Sequence, residues 1–509
     1  MDNPLHKRKI TKSTLLLLSI FVIATCGLIY ELVAGTLASY LLGDSITQFS
    51  TIIGTYLFAM GIGSYLSRYL NKNLIVWFIQ IELLVGLIGG FSSTVLFLVF
   101  DQVVYFRVIL YAIVSLTGMF VGLEIPILMR ILKEEFEFKD LVSEVFTFDY
   151  IGALLASLIF PLFFVPQVGL IRTSLFFGLI NTAVALWVIY SFKHQVKYVR
   201  SLISVAWLVF LLMLACFIFA DSIQQYTESI AYHDKIIISK SSPYQRIVVT
   251  NNKNELRLYI NGNLQFSTLD EYRYHESLVH PIMANAVDRD TVLVMGGGDG
   301  MAVRELLKYP EIKKIILVDL DPEMTKLFKS HPALSKLNNH SFSDSRVEVI
   351  NDDAFIWTLN QKNTYSTIII DFPDPSNFSL GKLYSSTFYN RLYQLLKPNG
   401  CTVIQSTSPY CAPLSFWCVN ATLKKSGFNT LPYHTYIPSF GEWGYIIGYK
   451  DHFNQAQSYP TELKYISPVL FEQMCFFSKD MSDRPVEINR LNNQVLVQYF
   501  DHEWSKFVQ

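Results

Sequence analysis

Charge is what this sequence has least of. Its 509 residues include 41 basic and 42 acidic side chains, 16% of the chain, against roughly 25% in an ordinary soluble protein. Mean hydropathy is +0.31. A chain this poor in charge is neither disordered nor a simple soluble protein. The net charge of −1 leaves no basic surplus to attract nucleic acid. The six cysteines (Cys26, Cys216, Cys401, Cys411, Cys418, Cys475) form no C-x-x-C pair, which removes zinc ribbons and thioredoxin-like motifs. Their scatter suits a reducing compartment for the second half. There is no G-x-G-x-x-G, no metal-ligand cluster, no short repeat and no low-complexity stretch. Length alone suggests two or three domains.

What charge there is lies unevenly. Residues 1–220 hold only 26 of the charged side chains. Long uncharged runs recur there: Ser13–Tyr30, Ser45–Ser67, Leu83–Phe100, Val108–Leu123, Tyr150–Ile171, Thr173–Phe192 and Ser201–Ala220. Several reach the roughly 20 residues a helix needs to cross a bilayer. Backbone groups in lipid must be satisfied within the segment, so the expectation is seven helical spans over 1–220. The first run continues into Glu31-Leu32-Val33-Ala34-Gly35 and more apolar sequence, unlike a cleaved signal peptide. Lys7, Arg8, Lys9 and Lys12, then Arg68 with Lys72, then Lys193, Lys197 and Arg200 place the N-terminus inside. An odd number of spans then leads outward, in conflict with cytosolic chemistry for the remainder; a re-entrant run, an unusual topology or an outward-facing second half would each resolve it. Glu31, Glu82, Glu124 and Asp149 stand within or beside the apolar runs. They read either as interfacial positions near helix ends or as a cation site or polar contact inside the bundle.

After Ala220 the pattern changes. Residues 221–290 alternate apolar and polar over Lys235–Ser239, Arg246–Thr250 and Leu256–Ile260, with Asn261-Gly262-Asn263 as a turn. This predicts a small antiparallel β subdomain. From Thr291 onward apolar strands (Thr291–Met295, Lys314–Val318, Arg346–Ile350, Thr367–Ile370, Thr402–Gln405) alternate with helical stretches. That grammar predicts a parallel, doubly wound sheet over 291–509.

The chemistry gathers at the ends of those strands. The first runs into Gly296-Gly297-Gly298-Asp299-Gly300, a turn that lets a ligand approach the backbone. The second ends at Asp319, where an acid can hold two ribose hydroxyls. The third ends at Asp353-Ala354, where a carboxylate can accept from an adenine amino group. Together they predict an adenosine site. Asp299 narrows the ligand. It would repel the carboxylate of intact S-adenosylmethionine and attract the ammonium of an aminopropyl tail, by about 4 kcal/mol at 4 Å and an effective dielectric of 20. Its alternative use is to cap the next helix. The fourth strand ends in Asp371-Phe372-Pro373-Asp374-Pro375. Asp371 can bind an ammonium and then take its proton, with Asp374 as a second anchor. Tyr274-His275-Glu276 offers an aromatic wall, an imidazole and an acid, or simply a packed helix start.

These motifs, with Pro438-Ser439-Phe440-Gly441-Glu442-Trp443-Gly444, resemble those of the spermidine synthase family, the polyamine aminopropyltransferases. The resemblance covers about residues 235–450. Cys26-Gly27-Leu28-Ile29-Tyr30-Glu31-Leu32 is similar to the membrane domain of some bacterial members. The fold so implied is a multi-pass helical membrane domain, a β-hairpin subdomain, and a Rossmann-like domain of the S-adenosylmethionine-methyltransferase type. The implied reaction moves an aminopropyl group from decarboxylated S-adenosylmethionine, a co-substrate, to putrescine, giving spermidine and methylthioadenosine. No permanently bound cofactor or metal is expected. By position, Gln245, Gly296, Gly298, Asp319, Asp353 and Ala354 would hold the nucleoside. Tyr274, His275, Asp299 and Asp374 would hold the polyamine, and Asp371 would accept the proton. Asp319 replaces a longer glutamate, Ala354 replaces a glycine, and Ser376-Asn377-Phe378-Ser379 departs from the family's usual Gly-Pro loop. A homodimer or homotetramer, a lipid bilayer around the first half, the inner membrane as location and a cytoplasmic catalytic domain complete the expectation. Two alternatives stay open: a membrane polyamine sensor or transporter with a non-catalytic synthase-like domain, and another S-adenosylmethionine-dependent transferase.

Overall fold

The computed structural model describes residues 12–42, 45–100, 105–133, 136–224, 232, 234–451, 453 and 459–507. Lys7, Arg8 and Lys9 lie outside the described residues. The chain forms two compact units, Met1–His233 and Asp234–Gln509.

The first unit is helical: α1 (Lys12–Leu42), α2 (Ser45–Leu66), α3 (Leu74–Val99), α4 (Phe106–Leu132), α5 (Phe138–Ile159), α6 (Leu170–Ser191) and α7 (Val199–Ile218). A π-helical stretch, Phe160–Val168, follows α5 and carries Pro161 and Pro166, whose missing N–H groups favour a local break in the α-helical ladder. Seven helices among the described residues are long and apolar enough to cross a membrane. Small residues let their backbones approach closely. A Cβ on Gly63 of α2 would meet the Met119 carbonyl of α4 at 1.9 Å, and one on Gly86 of α3 would lie 3.1 Å from the Gly178 carbonyl of α6. The helices run further than the uncharged runs. α3 begins at Leu74, not Leu83, and α4 continues to Leu132, not Leu123. Glu82 and Glu124 therefore lie inside their helices, and both are fully buried. A position near a helix end does not describe them.

The second unit opens with an antiparallel sheet in the order β1 (Lys235–Ser241), β2 (Arg246–Asn252), β3 (Glu255–Ile260) and β4 (Asn263–Ser267). Asn261 and Gly262, at φ 50° and 82°, make the β3–β4 turn, as a two-residue hairpin requires. Helix Glu271–Asn285 leads into a seven-stranded sheet of β5 (Thr291–Gly296), β6 (Lys314–Asp319), β7 (Val347–Asn351), β8 (Tyr365–Asp371), β9 (Leu396–Gln405), β10 (Asn429–Ile437) and β11 (Gly441–Tyr449). Their order is β10-β11-β9-β8-β5-β6-β7. Strands β5 to β9 pair in parallel, but β11 is antiparallel to both β9 and β10. The sheet is thus mixed, not wholly parallel. Only a short turn, Pro438–Phe440, joins β10 to β11, and a connection that short permits antiparallel pairing alone. The central strands are buried on both faces: Val292, Val294 and Ile315 pack on one, Leu293, Met295 and Ile368 on the other.

Candidate active site

The strand order sets the site. Chain connections leave β5 toward β6 and β7 on one side, then return to β8 and β9 on the other. The crevice at the carboxyl ends of strands at such a reversal is where ligands bind in doubly wound sheets. Gly296 is in register with Asp371 of β8, and Asp319 with Asn351 of β7. Asp371, the glycine turn, Asp319 and Asp353 therefore follow one another along a single edge.

The glycines are required there. Gly296 has φ 79°, and a Cβ on it would lie 2.2 Å from the Asp371 carbonyl oxygen. A Cβ on Gly298 would come within 2.7 Å of Asp319 Oδ2. Asp319 Oδ1 accepts from the Asp321 N–H (2.9 Å). Burial pushes the Asp319 carboxyl up to about 7, against backbone hydrogen bonds that favour its ionised form. Asp321 in turn accepts from Ser242 Oγ (2.8 Å), and the Ser242 N–H donates to the Gln245 carbonyl (2.9 Å). The turn that carries Gln245 is thereby tied to the loop after β6.

Asp371 is held by Tyr274, whose hydroxyl donates to Oδ1 at 2.5 Å. The Tyr274 ring leans on Tyr445 and Phe440. Burial raises the Asp371 carboxyl to about 6, and the charge of Asp299 adds to this; His275 and the Tyr274 hydroxyl oppose it. Asp374 is also raised to about 6 by burial, while Gln405 (3.3 Å) and Thr407 (3.2 Å) donate to its two oxygens. His275 is buried with Nδ1 2.8 Å from Glu271 Oε2. Burial opposes its charge, but Glu271 outweighs burial and lifts the imidazole to about 9. Asp299 Oδ1 accepts from the Met301 N–H (2.9 Å) at the start of the helix Met301–Leu306, whose N-cap position is Gly300, and its charge bears on His275 and Asp371. Asp353 caps the helix Ala354–Leu359 through the Phe355 and Ile356 N–H groups, and its Oδ2 accepts from Lys382 (2.7 Å). Burial works against that carboxylate, yet Lys382 and the helix N–H groups hold it below its ordinary value. Ala354 is buried beside it.

Residues 271–459 match the spermine/spermidine synthase domain. A polyamine aminopropyltransferase of Leptospira interrogans is 50% identical, over 97% of this chain and 99% of its own. The chain belongs to the polyamine aminopropyltransferase family. A second such aminopropyltransferase, from Ralstonia nicotianae, is 51% identical over 97% of this chain and 98% of its own length. A crystal structure of spermidine synthase with the transition-state analogue AdoDATO superposes at a TM-score of 0.45, with 25% identity, over 48% of this chain and 88% of that one.

In this aminopropyltransferase fold the structure gathers Asp299, Asp319, Asp371, Asp374, Tyr274 and His275 around the carboxyl edge, with Asp353 engaged by Lys382. Supporting residues that sequence reasoning missed now stand out. Gln405 donates to the Phe372 carbonyl and to Tyr384 Oη as well as to Asp374. Its place as the polar end of an apolar strand was a usable signal. Thr407, at φ 57°, passes the contact on to Trp504 Nε1, which donates to its hydroxyl (3.3 Å). Nothing local marks Trp504. Arg304 grips both oxygens of Glu271 (3.0 and 2.9 Å) and thereby braces the partner of His275.

Proposed function

We propose that the second unit transfers the aminopropyl group of decarboxylated S-adenosylmethionine to putrescine, yielding spermidine and methylthioadenosine. The observation that carries this reading is Asp371: a carboxyl raised to about 6 by burial and by Asp299, beside a phenol donor, at the end of the strand next to the glycine turn. Such a group binds an ammonium as carboxylate and is basic enough to take its proton. Asp299 and Asp374 add negative charge for further ammonium groups and disfavour the carboxylate of intact S-adenosylmethionine. Gly296 and Gly298 leave room for the nucleoside, Asp319 accepts from its ribose hydroxyls, and Gln245, Asp353 and Ala354 border its base.

The step is a direct displacement. The amine nitrogen attacks the aminopropyl carbon bonded to sulfur. The carbon–sulfur bond breaks, the electron pair stays on sulfur as the neutral thioether, and the amine proton passes to Asp371. The protein contributes alignment, deprotonation and field. The decarboxylated nucleoside is consumed as a co-substrate, and no permanent cofactor is invoked. The first unit holds the enzyme in the cell membrane as a multi-pass anchor, the catalytic unit works on cytoplasmic substrates, and homodimers or homotetramers are the assembly we expect. In domain terms, 1–220 is the membrane domain, 221–290 the β subdomain and 291–509 the catalytic domain.

Full-length protein in detergent, given decarboxylated S-adenosylmethionine and a panel of diamines, is expected to release methylthioadenosine only with an amine present, fastest with putrescine. Nucleoside binding without release under any amine would overturn the transferase reading and favour a sensor or transporter.

Tyr274→Phe tests how Asp371 is tuned. The hydroxyl stabilises the ionised carboxylate, so its loss raises the Asp371 carboxyl further. The acid limb of kcat/KM, set near pH 6, is expected to move toward neutral, while the aromatic packing on Tyr445 and Phe440 is kept. A limb that stays in place or moves to lower pH in a profile from about pH 5 to 8 would remove Tyr274 from this role.

A further inference from the structure

The first unit encloses carboxyl groups that the chemistry of the second does not use. Glu82 on α3 and Glu124 on α4 are 0% exposed, and none of their four carboxylate oxygens has a hydrogen-bond partner. The charge of one bears on the other. Tyr30 on α1 is buried, its hydroxyl is unpartnered, and it feels both acids. Asn181 on α6 is fully buried, with both its carboxamide oxygen and its nitrogen unpartnered.

Close packing brings these four side chains to one region. A Cβ on Gly86, one turn from Glu82, would lie 3.3 Å from the Asn181 Cβ. A Cβ on Gly89, two turns from Glu82 on the same face, would lie 2.8 Å from the Tyr30 ring. Val121, one turn before Glu124, reaches to 3.0 Å of a Cβ on Gly27, one turn before Tyr30. Among the described residues, Cys26 and Glu31 on α1 and Tyr56 on α2 are the other ionisable groups that face this interior. The Tyr56 hydroxyl already donates to the Gly27 carbonyl (2.8 Å).

Acids in a membrane interior are costly unless something answers their charge. Among the described residues of this unit no lysine, arginine or histidine is buried, so those residues bury no countercharge beside the acids. The unmet hydrogen bonding is also lopsided. Four carboxylate oxygens and the Asn181 oxygen accept, and only the Asn181 amide and the Tyr30 hydroxyl donate. The missing partner is a cation rich in donors. Among the described residues no three His, Cys, Asp or Glu side chains are grouped so as to hold a metal ion, whereas an ammonium group brings up to three N–H donors with its charge.

We propose that Glu82 and Glu124, lined by Tyr30 and Asn181, bind a protonated alkylamine inside the membrane unit. The choice of an amine over bare protons rests on the amine chemistry proposed for the second unit; the need for a cation does not.

Dicyclohexylcarbodiimide, an apolar reagent that modifies protonated carboxyl groups, tests this on full-length protein in lipid nanodiscs. Modification of each acid is read by peptide mass spectrometry, in buffer alone, with putrescine, or with NaCl of equal ionic strength. Glu82 and Glu124 are expected to react, and putrescine is expected to slow both at least tenfold while Asp149 is unaffected. Equal rates with and without putrescine would overturn the proposal in favour of protons alone. Equal protection by NaCl would overturn it in favour of an inorganic cation. No modification of either acid without putrescine would overturn it as well, since a site closed to exchange takes up no ligand. The labelling needs no turnover, so its failure is distinguishable from failure of the transferase reading.

Discussion

Replacing Asp371 by asparagine is expected to lower kcat by about 10²–10⁴-fold, the usual worth of a general base, with nucleoside affinity nearly unchanged. The exchange is almost isosteric. Its carbonyl oxygen can still accept from Tyr274, so the wall of Tyr274, Tyr445 and Phe440 keeps its packing. What is lost is a site for the amine proton and one negative charge beside Asp299. Single-turnover release of methylthioadenosine separates this from product release. The proton account fixes the pH dependence too. Asp371 must be ionised before it can act, so the free enzyme gains activity as pH rises through about 6. A bound ammonium favours the carboxylate, so the acid limb of kcat should lie below that of kcat/KM. A variant that turns over within tenfold of the parent would rule Asp371 out as the acceptor.

Arg304→Met carries the largest expected cost in stability. The guanidinium pairs with both oxygens of Glu271, donates through Nε to Glu305 (2.9 Å) and reaches the Leu337 carbonyl (2.9 Å). Glu305 is also bound by His280 (2.9 Å) and Lys308 (2.6 Å). Methionine fills much of the same volume but leaves two largely buried carboxylates short of their cation. Removing one partner of such a network costs about 3–5 kcal/mol, and a unit of this size should lose roughly 6–20 °C in melting temperature. Glu271 shows the sign of the pH dependence. Burial raises its carboxyl, but His275 and Arg304 outweigh burial and bring it down to about 2. Its contribution to stability is therefore complete above the ordinary glutamate range and fades as pH falls toward about 2. Calorimetry showing a change under 2 °C near neutral pH would mean that the network is not structural.

The parts legible in the sequence were those that local pattern controls. Asp319, Asp353 and Asp371 could be placed because each ends an apolar strand or opens the helix after one, and the chain must leave a parallel sheet at that edge. The inverted strand β11 was not legible, because the strand pattern was followed only as far as Thr402–Gln405 and β11 pairs with β9 across some 40 residues. Asp353 was expected at the adenine; its ion pair with Lys382 depends on a short 3-10 helix 29 residues away. In the first unit, hydropathy located the helices but left the acids between an interfacial and an interior reading. A search for uncharged runs stops at every glutamate, whereas an α-helix continues through one that its neighbours enclose.

The Asp374 contacts also bear on the order in which the chain is made. Thr407 depends on Trp504, and the neighbouring Glu503 caps the helix Pro413–Lys425 through the Leu414 and Ser415 N–H groups (2.8 and 3.1 Å). Helix Val495–Trp504 is translated after every strand of the sheet. A ribosome can thus have delivered all seven strands and both members of the Asp371–Asp374 pair while Asp374 still lacks its final setting. The setting of the acidic pocket is thus completed by a helix translated after Asp371, Asp374, Gln405 and Thr407 themselves.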